Sequence, residues 1–145
     1  IEHLLNDPCS VLREIKRVLK TGGTLVLTTP NVARLENVAR LISGANIYDP
    51  YSGYGPYGRH NREYNCYELE QLLKFEGFNP TMSFTDVHAN QAQFFCSIDE
   101  IAHLLKDREK DLGQYIFFKA TLIKQETNLK RPSWLYRSYS NEELV

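Results

Sequence analysis

At 145 residues, 42% hydrophobic and 24% charged, the chain has the size and balance of one ordinary globular domain with enough length to bury a core. A net charge of -1 offers no field for a polyanion, and no Lys/Arg block forms a phosphate-binding tail, which argues against nucleic acid as a partner. Three scattered cysteines without CxxC spacing exclude a zinc ribbon or disulfide framework and suit a reducing cytoplasm; no apolar stretch reaches the roughly 18 residues of a bilayer span, and no signal peptide precedes the first helix.

Asp7 is placed to N-cap a helix whose first residue is Pro8, where a missing N–H costs nothing. Val11, Leu12, Ile15, Val18 and Leu19 form its apolar stripe, and Gly22 and Gly23 end it. The run Thr24 to Thr29 is β-rich and nearly continuous in apolarity, as expected of an interior strand covered on both faces. A second amphipathic helix is expected from Val32 to Ile42, with Leu35, Val38, Ala39 and Ile42 on one face. From Ser43 to Tyr64 the chain carries four of its eight glycines and five of its nine tyrosines, with Tyr48, Tyr51, Tyr54 and Tyr57 spaced by three. A structureless stretch longer than about 12 to 15 residues is functional or disordered, and its aromatics argue against disorder.

Asn65 and Glu68 read as a capping box for a helix carrying Leu69, Leu72 and Leu73 inward, stopped at Gly77. A strand follows from about Thr81 to Val87, then a helix opened by Ser97 and Glu100 and running to about Lys106. The mixed charges from Lys106 to Asp111 read as a solvated face. The last strand is Tyr115 to Ile123, with the Thr81 strand as its antiparallel partner. From Gln125 onward the chain reads as a polar tail, anchored only by Trp134-Leu135-Tyr136.

Glu2-His3-Leu4, then Asp7-Pro8, then Arg17-Val18-Leu19-Lys20-x-Gly22-Gly23 is a spaced set that resembles the class I S-adenosylmethionine-dependent methyltransferases. The segments GPYGRHNREY, LLKFEGF and RPSWLY resemble a bacterial or archaeal branch of that family associated with glycan and cell-surface biosynthesis, and the likeness covers most of the chain. The resemblance implies an α/β fold: a partial Rossmann-like sheet giving the fifth to seventh strands, the last antiparallel, with flanking helices. Residues 1–124 would be the C-terminal part of the methyltransferase domain, with a substrate-side lid at about 32–65, and 125–145 the tail. The family's glycine-rich cofactor loop and ribose-gripping acid would precede Ile1, so the chain reads as a fragment that is a poor catalyst alone. Gly22 and Gly23 do not replace that loop, because a phosphate-type cradle follows a strand and opens a helix, whereas this pair does the reverse.

The resemblance also implies the cofactor, S-adenosylmethionine, and sets Glu2 and His3 at the rim of its pocket. The same pair reads equally as a helix N-terminal acid and a packing imidazole. Some quinone-pathway relatives use such a pair with an upstream acid to hold a divalent cation; with one carboxylate and one imidazole visible, no metal is assigned. Methyl transfer to a hydroxyl needs alignment and a base, and His60 has the proton-transfer capacity for it. Arg59 and Arg62 suit a carboxylate or phosphate, and Tyr54 and Tyr57 offer an amphipathic wall to a sugar or ring. The plainer alternative is that His60 bonds backbone and that Arg62 and Glu63 pin the loop. The expected acceptor is a small molecule or glycan precursor, with a homo-oligomer allowed for. A noncatalytic glycan- or protein-binding module is the competing reading.

Overall fold

The computed structural model describes residues 1–5, 7–126 and 128–145. In chain order the elements are α1 (Pro8–Val18), β1 (Thr24–Pro30), α2 (Leu35–Ile42), α3 (Cys66–Phe75), β2 (Phe78–Phe84), α4 (Ala89–Gln93), α5 (Ile98–Leu105) and β3 (Tyr115–Leu122), with 3-10 turns at Gly55–Gly58 and Lys106–Asp111. The strands form one sheet in the order β1-β3-β2. Leu122 N–H donates to Gly23 O (2.9 Å) and Asn31 N–H to Gln114 O (3.0 Å), so β3 is antiparallel to β1. Ile123 N–H donates to Gly77 O (2.9 Å) and Thr85 N–H to Tyr115 O (3.1 Å), which makes β3 antiparallel to β2 as well. The expected pairing of the last strand with the strand near Thr81 is therefore present, and β1 and β2 share a direction without touching.

Several boundaries differ from the sequence expectation for identifiable reasons. Among the described residues β1 is an edge strand, not an interior one; its residues alternate in exposure and Val26 is 68% exposed. The second helix begins at Leu35 instead of Val32, because Asn31 Oδ1 accepts the Ala33 N–H and Arg34 N–H turns back to Asn31 O, holding residues 31–34 in a turn. β2 starts three residues early and includes Pro80, which is tolerated because an edge strand has one side with no ladder to complete. The Ser97 side chain makes no capping hydrogen bond to α5, and the short helix α4 had no clear periodicity to announce it.

The chain forms two compact units: Ile1–Leu5, Thr28–Cys66 and Met82–Phe117 in the first, and Asn6–Leu27, Tyr67–Thr81 and Phe118–Val145 in the second. The core of the first gathers Leu35 and Ala39 of α2, Ala92 of α4, Ile101 and Leu105 of α5, and Leu112. The core of the second includes Cys9 and Leu12 of α1, Leu69, Leu72 and Leu73 of α3, and Phe118, Ala120 and Leu122 of β3. Full burial of each Leu or Phe contributes about 1.5–3 kcal/mol.

In the second unit Asp7 does cap α1, accepting from Cys9 N–H at 2.8 Å. The same carboxylate accepts from Arg131 Nε (2.7 Å) and from the Tyr136 hydroxyl, so the C-terminal segment is tied down by more than Trp134-Leu135-Tyr136 packing. Gly77 ends α3 at φ +88, and the carbonyl of Lys124 lies 2.9 Å from where a Cβ would stand. Among the described residues no helix is long and apolar enough to cross a membrane.

Candidate functional site

Within the first unit, the segment before α1, the end of β1 and the tyrosine-rich loop bring their polar side chains together. His60 sits in that loop, its backbone N–H held by Asp49 Oδ2 at 2.9 Å. Its ring Nδ1 lies 2.8 Å from Glu63 Oε1 and 3.6 Å from Asp49 Oδ2. A carboxylate only accepts, so Nδ1 carries the hydrogen and the neutral ring keeps its lone pair at Nε2. Glu63 is itself fixed through its other oxygen by Arg34 Nη1 at 2.5 Å, and that nitrogen also donates to Asn31 O at 3.0 Å. Asn31 is locked in turn, its Nδ2 donating to Asp111 O (2.8 Å) and Gly113 O (2.9 Å). A line of charge-assisted bonds thus runs from the end of β1 to the His60 ring.

The pair read from the opening motif meets His60. The His3 ring packs edge-to-face on it, centroids 4.9 Å apart and planes at 77°. His3 Nδ1 lies 3.1 Å from Arg59 O, and Glu2 O accepts from Asn61 N–H at 2.8 Å. Asn61 Nδ2 reaches both His3 O (3.1 Å) and Pro56 O (3.0 Å), tying the turn at Gly55–Gly58 to the same place. Glu2 Oε2 accepts from Thr29 Oγ1 at 3.0 Å and from the Ile1 amino group at 3.1 Å. Burial pushes the Glu2 carboxyl up, while its backbone N–H and the Thr29 hydroxyl pull it down.

Of the other expected residues, Arg59 enters through its carbonyl while its guanidinium lies 5.0 Å over the Tyr51 ring. Arg62 stacks on the buried Tyr64 ring at 5.2 Å. Tyr54 and Tyr57 stand 85% and 73% exposed. The sequence missed Asp49, Arg34, Thr29 and Asn61. Only the His60 to Glu63 spacing carried a local signal; Asp49 and Asn61 share the loop with His60 but no periodic spacing, and Arg34 and Thr29 arrive from elements remote in sequence.

Among the described residues two groupings could hold a metal ion: Glu2, His3 and His60, or Asp49, His60 and Glu63, each with donor atoms within 4.8 Å of one another. For a nucleoside cofactor the fit is narrower. Among the described residues the links from β1 to α2 and from β2 to α4 contain no glycine, while Gly22, Gly23 and Gly77 all lie between a helix and the following strand. No strand-to-helix glycine cradle is present among them, and only the rim pair is available. A separate cavity of about 530 Å³, walled by Leu35, Ile98, Leu105 and Leu112 with His103 and Lys106 among its lining, is apolar and removed from these groups in character. No protein-family model matches the chain, and a search of curated proteins finds no match.

Proposed function

We propose that this chain forms the acceptor side of an S-adenosylmethionine-dependent methyltransferase acting on a small molecule or glycan precursor. The observation that carries the reading is the contact between His3 and His60, since the motif residue expected at the cofactor rim and the expected base are neighbours at 4.9 Å. The sheet order β1-β3-β2, with its last strand antiparallel between the other two, also supports it, because the resembled fold ends in this way.

The cofactor, when bound, would supply an electrophilic methyl group with a neutral thioether as its leaving group. Everything else asked of this chain concerns the acceptor. His60 Nε2 takes the proton of an acceptor hydroxyl or amine as the new bond forms, and Glu63 keeps the ring in the tautomer that can do so. The imidazolium that results is stabilised by Glu63 and Asp49. Arg34 acts through Glu63 and is a positioning residue. Arg59 and the exposed Tyr54 and Tyr57 offer a cation and flat rings for a charged or sugar-like acceptor.

Titrating S-adenosylhomocysteine into the full-length protein tests the reading at its base: saturable heat is expected, and none at high concentration would overturn it. With transfer of labelled methyl as the readout, His60→Ala is expected to lower turnover by about 10²–10⁴-fold with cofactor affinity nearly unchanged; unchanged turnover removes His60 from the mechanism. A second reading has its own observation. Tyr48, Tyr51, Tyr54 and Tyr57 are all at least 73% exposed, which suits a glycan- or protein-binding surface without catalysis. Glycan retention by a protein that gives no heat with S-adenosylhomocysteine would favour it.

A further inference from the structure

Both imidazoles beside Glu2 are held in the same tautomer by independent acceptors. The Arg59 carbonyl can only accept, so the hydrogen at 3.1 Å belongs to His3 Nδ1, and the Glu63 carboxylate likewise places it on His60 Nδ1 at 2.8 Å. The neutral form of each ring therefore has its lone pair at Nε2. Glu2 engages Thr29 through Oε2, while its Oε1 lies 3.9 Å from His3 Nε2. One donor atom from each of Glu2, His3 and His60 lies within 4.8 Å of the others.

We propose that Glu2, His3 and His60 form a three-ligand site for a divalent transition-metal cation. Two neutral imidazoles and one carboxylate, with each imidazole backed on its far nitrogen by a carbonyl or carboxylate, is the arrangement such ions take up. The two nitrogen donors favour zinc, cobalt or iron over magnesium or calcium, which take oxygen. Bonds of about 2.0–2.2 Å require the donors to close by roughly an ångström. His3 is 54% exposed and has room to move. The other grouping is disfavoured on the geometry. Asp49 and Glu63 face Nδ1, which carries a hydrogen, and a metal there would displace Arg34 from Glu63. These two carboxylates serve instead to orient the His60 ligand.

The inference stands apart from methyl transfer. A cation on His60 Nε2 excludes a proton from it, so one molecule uses that nitrogen for one purpose at a time.

The test is titration of zinc chloride and cobalt chloride into the metal-stripped full-length protein, followed by calorimetry and by the visible spectrum of bound cobalt. One cation per chain in the micromolar range is expected, with visible bands of a low-coordinate cobalt ion. His3→Ala and Glu2→Gln should each abolish binding, and Glu63→Gln should weaken it about 10–100-fold. His3 is more than half exposed, so its variant is expected to melt as the parent does, which separates lost ligation from lost fold. Absence of stoichiometric binding below millimolar cation overturns the proposal. So does binding that survives His3→Ala and Glu2→Gln, including binding lost only in Asp49→Asn.

Discussion

Glu76, one residue past α3, is 1% exposed and lies between two cations of α1: Arg13 Nε at 3.0 Å and Lys16 Nζ at 3.5 Å. Lys16 is itself 2% exposed and donates to Glu76 O (2.9 Å) and Glu126 O (3.0 Å), while Arg13 Nη2 donates to Lys130 O (2.7 Å). Glu76→Gln preserves the shape and removes the carboxylate that neutralises a buried ammonium. Truncating one partner of such a pair costs about 3–5 kcal/mol, because the other charge stays out of water uncompensated. At about 3 °C per kcal/mol for a domain near this size, the melting temperature should fall by roughly 10–15 °C. Thermal unfolding of the full-length protein, followed by circular dichroism or calorimetry, measures it. Glu14→Gln breaks an ion pair whose members are 69% and 68% exposed, and should move stability by less than about 1 kcal/mol. Adding Lys16→Met to Glu76→Gln should recover part of the loss, since the orphaned charge is then gone. A Glu76→Gln protein melting within about 2 °C of the parent would refute the reasoning, and would mean that the carbonyls alone satisfy both cations.

Three further outcomes follow from the second unit. Burial raises the Asp7 carboxyl, but bonds from Tyr136, Arg131, Ser10 and the Cys9 N–H outweigh it, leaving its folded value below the ordinary 3.8. A depressed carboxylate contributes stability that is complete above the unfolded value and lost as pH falls through the folded one. Asp7→Asn should therefore flatten the acid limb of a stability-versus-pH curve below about pH 4; an unchanged limb would show that other carboxyls set it. Burial, aided by the charges of Glu76 and Asp7 and opposed by the Tyr136 hydroxyl, pushes the Cys9 thiol up to about 12. Iodoacetamide at pH 8 should leave Cys9 unmodified in the native protein and label it in denaturant, as peptide mapping would reveal; equal rates in both conditions would contradict its burial. Gly77→Ala forces a Cβ at φ +88 and against Lys124 O, and should cost at least about 1–2 kcal/mol in urea unfolding; a neutral substitution would show that the turn relaxes.

What the sequence made legible was local. Asp7 and Pro8 marked the start of α1, and the Leu69, Leu72, Leu73 spacing marked the buried face of α3, because capping and periodicity are written in neighbouring residues. The run Leu25-Val26-Leu27 was misleading: apolar continuity suggests two covered faces, yet whether a strand is interior depends on what pairs beside it. The site shows the same division. Glu2, His3 and His60 were each picked out singly, but their meeting depends on a loop returning across 57 positions to the first segment. From sequence Glu63 is a loop pin, and the structure makes it also the group that orients His60. Arg34 had no signal, since a guanidinium chooses its carboxylate in three dimensions.

The position of β3 has a consequence for how the chain folds. Among the described strands the one that joins the sheet is made after the two it pairs: Gly22 must wait for Leu122, and Gly77 for Ile123. Until then β1 and β2 have no common partner, and each presents open backbone edges to any extended segment nearby. Closing contacts so distant in sequence slows folding and lengthens the interval in which exposed edges invite misassembly. A nascent chain halted before residue 115 would thus have two strands that cannot complete each other, and its survival would rest on chaperones more than on its own stability.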